Sequence, residues 1–90
     1  MSITVSLPTI LRPYAKDQRR VQSEGVTLIS LIDNLDSAYP GIKDRIVEDG
    51  AIRRYVNVYI NSEDVRFLNG VESQLSDGDE VDILPAVAGG

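Results

Sequence analysis

A single amphipathic stripe sets the architecture of this chain. Leu28, Leu31, Ile32, Leu35 and Tyr39 recur at helical spacing, while Ser30, Asp33, Asn34 and Ser37 fall largely on the opposite side. The spacing predicts a helix of about three turns, with Thr27 as its N-cap and Pro40-Gly41 as its stop. Around it the chain reads as short extended segments. Ile3-Thr4-Val5-Ser6-Leu7 alternates apolar and polar residues, as a strand with one buried face requires. A second strand is expected over residues 18–22, Arg19 outward and Val21 inward, and the two would form a hairpin. Pro8 and Pro13 bracket a loop at Thr9–Arg12, and Gly25 breaks the chain before the helix. The clearest strand is Tyr55-Val56-Asn57-Val58-Tyr59-Ile60-Asn61, with Val56, Val58 and Ile60 on one face and Tyr55, Asn57 and Tyr59 on the other. Residues 61–64 read as a turn, Val65-Arg66-Phe67 as a short returning strand, and Leu68-Asn69-Gly70 and Asp77-Gly78-Asp79 as turns. Val81-Asp82-Ile83 is the last strand, which Pro85 is expected to end because it has no amide hydrogen to pair. The pattern is weakest from Ile42 to Arg54: Ile42, Ile46 and Val47 fit a short helical turn, and Asp49-Gly50 a loop.

One helix has to bury its stripe against a sheet. The order strand, strand, helix, strand, short strand, strand describes an α+β chain of the β-grasp, ubiquitin-like kind: a mixed four- to five-stranded sheet with one main helix packed across one face. The domain is expected over residues 1–85, followed by a flexible tail at 86–90. Ninety residues support one core and no deep enzymatic cavity. Without cysteine there is no disulfide, thiolate metal site or thiol nucleophile, and without histidine the commonest general base is missing. No catalytic residue is assigned. The N-terminal segment lacks the basic start and continuous apolar stretch of a signal peptide, and no run is long enough to span a membrane. A cytoplasmic protein that binds neither membrane nor nucleic acid is the expectation.

Charge sharpens the last point. Residues 1–45 carry six basic and five acidic groups; residues 46–90 carry three and nine. From Val71 onward there are five acids (Glu72, Asp77, Asp79, Glu80 and Asp82) and no base, a surface that repels nucleic acid and suits a basic partner. Asp77-Gly78-Asp79-Glu80-Val81-Asp82 puts its glycine second, whereas a calcium loop of the EF-hand type needs it sixth, so a tight turn with charged flanks is the better reading and no metal is assigned. Glu63 and Asp64 fall in a turn with no nucleophile nearby, and Arg53-Arg54 flanks a strand, as surface ion pairs do. If Val58 and Ile83 face the helix, period-two alternation leaves Tyr55, Tyr59 and Leu84 on the uncovered face, where with Pro85 they form a candidate partner surface.

The chain closes on Leu84-Pro85-Ala86-Val87-Ala88-Gly89-Gly90. Two glycines let an extended backbone pass where no Cβ fits and leave the last carboxyl uncrowded. From Ala86 to Gly90 such a tail reaches at most about 17 Å, at roughly 3.3–3.6 Å per residue, enough to enter a partner's active site.

The β-grasp pattern, the Asp77-Gly78-Asp79-Glu80-Val81 turn, Pro85 and Gly89-Gly90 together resemble the ubiquitin-like sulfur carriers, which include the thiamine-pathway carrier and the small subunit of molybdopterin synthase. Leu7-Pro8-Thr9-Ile10-Leu11-Arg12, Val56 to Asn61, Glu63-Asp64-Val65-Arg66-Phe67 and Leu84 to Gly90 are similar to the members that serve cysteine biosynthesis. The resemblance implies a protein co-substrate rather than an enzyme. A separate E1-like enzyme using ATP and Mg²⁺ would adenylate the Gly90 carboxylate, and sulfur would replace AMP to leave a thiocarboxylate. A PLP-dependent cysteine synthase of the O-phosphoserine type would receive Ala86, Val87, Ala88 and Gly89 in its active site and accept the sulfur. A zinc peptidase would then release cysteine. The cofactors belong to the partners and none to this chain. Three alternatives stay open: a carrier for molybdopterin or thiamine synthesis, a modifier that passes its activated carboxyl to lysines, and a simple interaction module.

Overall fold

The computed structural model describes residues 2–86. Strand β1 (Ile3–Ser6) is followed by a 3-10 helix at Thr9–Ala15, strand β2 (Arg20–Ser23) and helix α1 (Leu28–Ala38). A short helix α2 (Lys43–Ile46) leads into strands β3 (Val47–Glu48) and β4 (Ala51–Ile52). Then come β5 (Val56–Ile60), β6 (Glu63–Asp64), two 3-10 turns at Val65–Phe67 and Gly70–Glu72, and β7 (Glu80–Pro85). The main sheet has the order β2-β1-β7-β5-β6. It is mixed: β1 and β7 run parallel at its centre and the other pairs are antiparallel. This is the expected β-grasp, with five strands.

Register explains the core. Val5 lies opposite both Val21 and Val81, Ile60 opposite Val81, and Val58 opposite Ile83, so period two sends all of them to one face. The buried stripe of α1 (Leu28, Leu31, Ile32 and Leu35) completes a single apolar cluster with them. Each such side chain taken fully out of water stabilises the fold by about 1.5–3 kcal/mol. The helix starts where Thr27 predicts. Its hydroxyl accepts from the Ser30 amide, the Ser30 hydroxyl accepts from the Thr27 amide, and the Ser73 carbonyl accepts from the Leu28 amide. Three donors that the helix itself leaves unpaired are thereby satisfied. Thr27→Ala is expected to cost about 1 kcal/mol, read as a lower urea midpoint with an unchanged slope.

Several local expectations are corrected. The stretch between Pro8 and Pro13 is a 3-10 helix running to Ala15, with Pro13 inside it and Leu11 and Ala15 buried. The prolines restrict φ to values that a 3-10 turn also uses. Val65–Phe67 is a 3-10 turn, not a returning strand, because the Asp64 carboxylate accepts from the Arg66 amide and caps it. The returning strand is Glu63–Asp64, reached through a two-residue turn in which Asn61 and Ser62 both take positive φ. The second strand begins at Arg20, so Arg19, though exposed, precedes it, while Val21 is buried as expected. In the weakly patterned region the short helical turn is present, and Asp49-Gly50 closes a β3–β4 hairpin with positive φ at both turn residues.

The acids of the last third cap turns. Asp77 accepts from the Ser2 amide at 2.7 Å, and the two oxygens of Asp79 accept from Asn61 Nδ2 and the Ser76 amide. Arg66 holds the Asp64 carboxyl below the usual range, chiefly through its guanidinium and then its amide.

Candidate functional site

The end of β7 gathers most of the residues that the sequence singles out. Val81 and Ile83 point into the core, which leaves Leu84 46% exposed beside Pro85. Pairing does not stop at Pro85, contrary to expectation. Asn61 donates to the Glu80 carbonyl and Ala86 to the Tyr55 carbonyl, so the hydrogen-bonded positions include 61·80 and 55·86. Pro85 sits opposite Val56, in a position that makes no hydrogen bond to β5. Its missing amide would have pointed toward the β1 side, where β1 has already ended at Ser6. A proline there loses nothing, and the strand is held through Ala86.

Tyr55 is 59% exposed and is held by Arg53, whose guanidinium lies 5.8 Å from the ring centroid and donates to the hydroxyl at 3.1 Å. Arg53 is in turn anchored by Glu48 and the Asp44 carbonyl. An apolar groove of about 430 Å³ opens beside these residues. Tyr55, Leu84 and Pro85 line one side; the 3-10 helix, through Ile10 and Tyr14, and Arg45 of α2 line the other. Tyr59 is not part of it: it lies half-buried farther back along β5, opposite Asp82 and Asp64. The structure therefore brings together three of the four residues of the expected partner surface. It adds Pro8, Ile10, Tyr14 and Arg45, which sequence reading passes over because they sit far from β7 along the chain. Ala86 is half-buried at the strand's end; Val87, Ala88, Gly89 and Gly90 lie outside the described residues.

The electrostatics of this end are the reverse of what the charge count suggests. Asp77, Asp79 and Glu80 stand at the start of β7, about 16 Å from Pro85 at roughly 3.3 Å per residue. Arg45 is the one charged residue lining the groove, and among the described residues it forms no salt bridge. Its Nε donates to the Tyr14 hydroxyl at 2.7 Å, which raises its pKa and fixes the guanidinium 5.9 Å from the ring centroid. The carboxylate-rich turn is thus kept away from the root of the tail. A second hollow, of about 590 Å³, lies between residues 50–58 and 64–71; two of the arginines lining it, Arg53 and Arg66, are paired with Glu48 and Asp64. No described helix is long and apolar enough to cross a membrane.

A mixed five-stranded sheet in the order β2-β1-β7-β5-β6 with one main helix packed across a face defines a β-grasp, ubiquitin-like protein. Comparison with known proteins agrees: the pattern of the ThiS family matches residues 5–90, and the chain belongs to that family of ubiquitin-like sulfur carriers. It is 48% identical over 93 residues to the sulfur carrier protein CysO of Mycobacterium tuberculosis, covering 100% of both chains. The crystal structure of the Amycolatopsis orientalis BexX/CysO complex contains a chain matching at TM-score 0.92 and 48% identity, over 98% of this chain and 99% of that one. The crystal structure of Mycobacterium tuberculosis CysO matches at TM-score 0.91 and 45% identity, over 94% and 99% of the two chains.

Proposed function

We propose that this chain carries sulfur on the carboxylate of Gly90 for cysteine biosynthesis. The observation that carries the reading is the Gly89-Gly90 end on a ThiS-family chain 48% identical throughout to proteins named CysO. A carboxylate is too poor an acceptor to take sulfur unaided. A separate adenylating enzyme with ATP and Mg²⁺ converts it to an acyl adenylate, releasing pyrophosphate. A sulfur donor then displaces AMP and leaves the thiocarboxylate. The residues Ala86 to Gly89 enter the partner's active site, where tethering raises the local concentration of sulfur at its acceptor. That acceptor belongs to a PLP-dependent cysteine synthase, and a zinc peptidase frees the cysteine and restores Gly90. This chain supplies the tail and the surface around its root; it binds no cofactor of its own.

Intact mass after incubation with the adenylating enzyme, ATP and a sulfur source tests this. The expected result is a gain equal to the difference between sulfur and oxygen, dependent on ATP. Appearance of the chain on larger proteins through lysine bonds, with no such gain, would replace the carrier reading with the modifier one.

A further inference from the structure

The second hollow, between residues 50–58 and 64–71, has no part in carriage of sulfur, and its charge runs against that of the chain. The sequence has nine basic side chains and fourteen acidic ones; three of the nine, Arg53, Arg54 and Arg66, line this hollow, and only one of the fourteen, Asp64, does. That single acid is neutralised where it stands. Arg66 Nε donates to both Asp64 oxygens at 3.2 Å, Nη2 donates to Oδ2 at 2.7 Å, and the Arg66 amide donates to Oδ1 at 2.8 Å. Arg53 is anchored but keeps donors in reserve: Nε donates to the Asp44 carbonyl, Nη1 donates to the Tyr55 hydroxyl and lies 3.3 Å from Glu48, and Nη2 has no partner among the described residues. Arg54 is exposed, and its side chain makes no hydrogen bond or ion pair among the described residues.

A guanidinium with no carboxylate on a concave surface is a receptor for an oxyanion, because its fork of N–H groups matches the geometry of phosphate. Asn57 and Asn69 also line the hollow, and neither side-chain amide has a hydrogen-bond partner among the described residues. The apolar part of the lining comes from Ile52, Val56, Val58 and Val65. At about 590 Å³ the hollow falls within the range of small-molecule sites, about 300–1,000 Å³, which combine an apolar lining with a few polar groups. Three cations and one anion leave the lining with two positive charges, the complement of a dianionic phosphate rather than of a single carboxylate. We propose that this hollow binds a small phosphate monoester, with the phosphate on Arg54 and the organic group against the apolar lining. The site shares only Val56 with the groove at the end of β7 and needs neither that groove nor Gly90, so it stands or falls independently of the carrier reading.

Titration of phenyl phosphate into the full isotope-labelled chain, followed through its backbone amide resonances, tests the site. Saturable shifts are expected at residues 50–58 and 64–71, with a Kd of about 0.1–1 mM, ordinary for a ligand of about ten non-hydrogen atoms. Arg54→Gln is expected to raise that Kd about 10-fold, the size of one lost charge-assisted hydrogen bond. Its thermal midpoint should stay within about 2 °C of wild type, because the exposed side chain has no partner to lose. Arg45→Gln, which alters the other groove, should leave the Kd within about twofold. Phenol, which lacks the anion, should give no saturable shift, and affinity for phenyl phosphate should fall as salt rises. The proposal is overturned if phenyl phosphate does not saturate, if phenol or chloride at equal ionic strength reproduces its shifts, or if Arg54→Gln keeps the wild-type Kd. A phosphotyrosine peptide separates the two sources of such a group. Affinity within about threefold of phenyl phosphate supports a free small molecule, whereas binding more than about tenfold tighter would assign the hollow to a phosphorylated partner protein and overturn it.

Discussion

Deleting Gly90 should abolish charging with sulfur while leaving the fold untouched. The deletion does not remove a carboxylate; it moves one, since Gly89 then bears it. That group stands one residue short, about 3.3–3.6 Å from where the reacting carboxyl belongs. Adenylation requires attack on the α-phosphorus from a near-contact geometry, and a misplacement of about 1 Å already costs on the order of 100-fold. Loss of at least that size is expected in the ATP-dependent mass gain, beyond rescue by more enzyme. The apolar core runs from Ile3 to Ile83, so the thermal midpoint should match the full chain. The folded domain and the tail as far as Gly89 remain, so the shortened chain should compete for the adenylating enzyme and inhibit charging of the full one. A deleted chain that still gains sulfur at the full rate would remove Gly90 from the mechanism.

What the sequence discloses and what it hides follow from the range of the forces involved. The helix is legible because its stripe, its Thr27 cap and its Pro40-Gly41 stop lie within one window, and the Val56–Ile60 strand because alternation is a local signal. Two-residue strands have no alternation to show, so β3 and β4 are invisible except through Asp49-Gly50, which is a hairpin signal in its own right. The Val65-Arg66-Phe67 segment has strand-like composition, yet Asp64 caps it into a turn and leaves Phe67 82% exposed. Pro85 misleads for a different reason. Its effect depends on which neighbour its nitrogen faces, and that is a fact of register rather than of residue type. Of the groove, only the wall of Tyr55, Leu84 and Pro85 was legible; the rest was not. Its walls come from residues 8–14, 45, 55–56 and 83–85, brought together by the parallel β1·β7 pairing and by an α2 that only tertiary packing positions. The same distance effect explains the charge pattern: adjacent acids in sequence say nothing of how far down a strand they lie from its end.

Gly25→Ala should be the most destabilising of the small substitutions, and for a reason the sequence does not suggest. Gly25 reads as a simple chain break, which would make alanine tolerable. In the fold the segment leaving β2 crosses the first turn of α1 at close quarters, and Asn34 of that helix donates to the Glu24 carbonyl at 2.7 Å. A Cβ at Gly25 would stand 2.5 Å from the Leu31 amide nitrogen, 2.8 Å from its Cα and 2.8 Å from the Ser30 hydroxyl. The hydroxyl could turn aside; the backbone of a helix whose Leu31 side chain is fully buried cannot. Either β2 or α1 has to shift, which disturbs the core packing between them at about 2–3 kcal/mol. For a domain of this size that lowers the thermal midpoint by roughly 10–20 °C. Two companions identify the cause. Ser30→Ala added to Gly25→Ala should restore almost nothing, since the contacts with Leu31 remain. Gly50→Ala, where φ is +79° and no atom lies within 4 Å of the added carbon, should cost only about 1 kcal/mol, the ordinary penalty of a left-handed backbone. A Gly25→Ala midpoint within about 2 °C of wild type would mean that β2 and α1 do not pass this closely, and the hairpin would then have to sit farther from the helix than the packing of Val21 against the core allows.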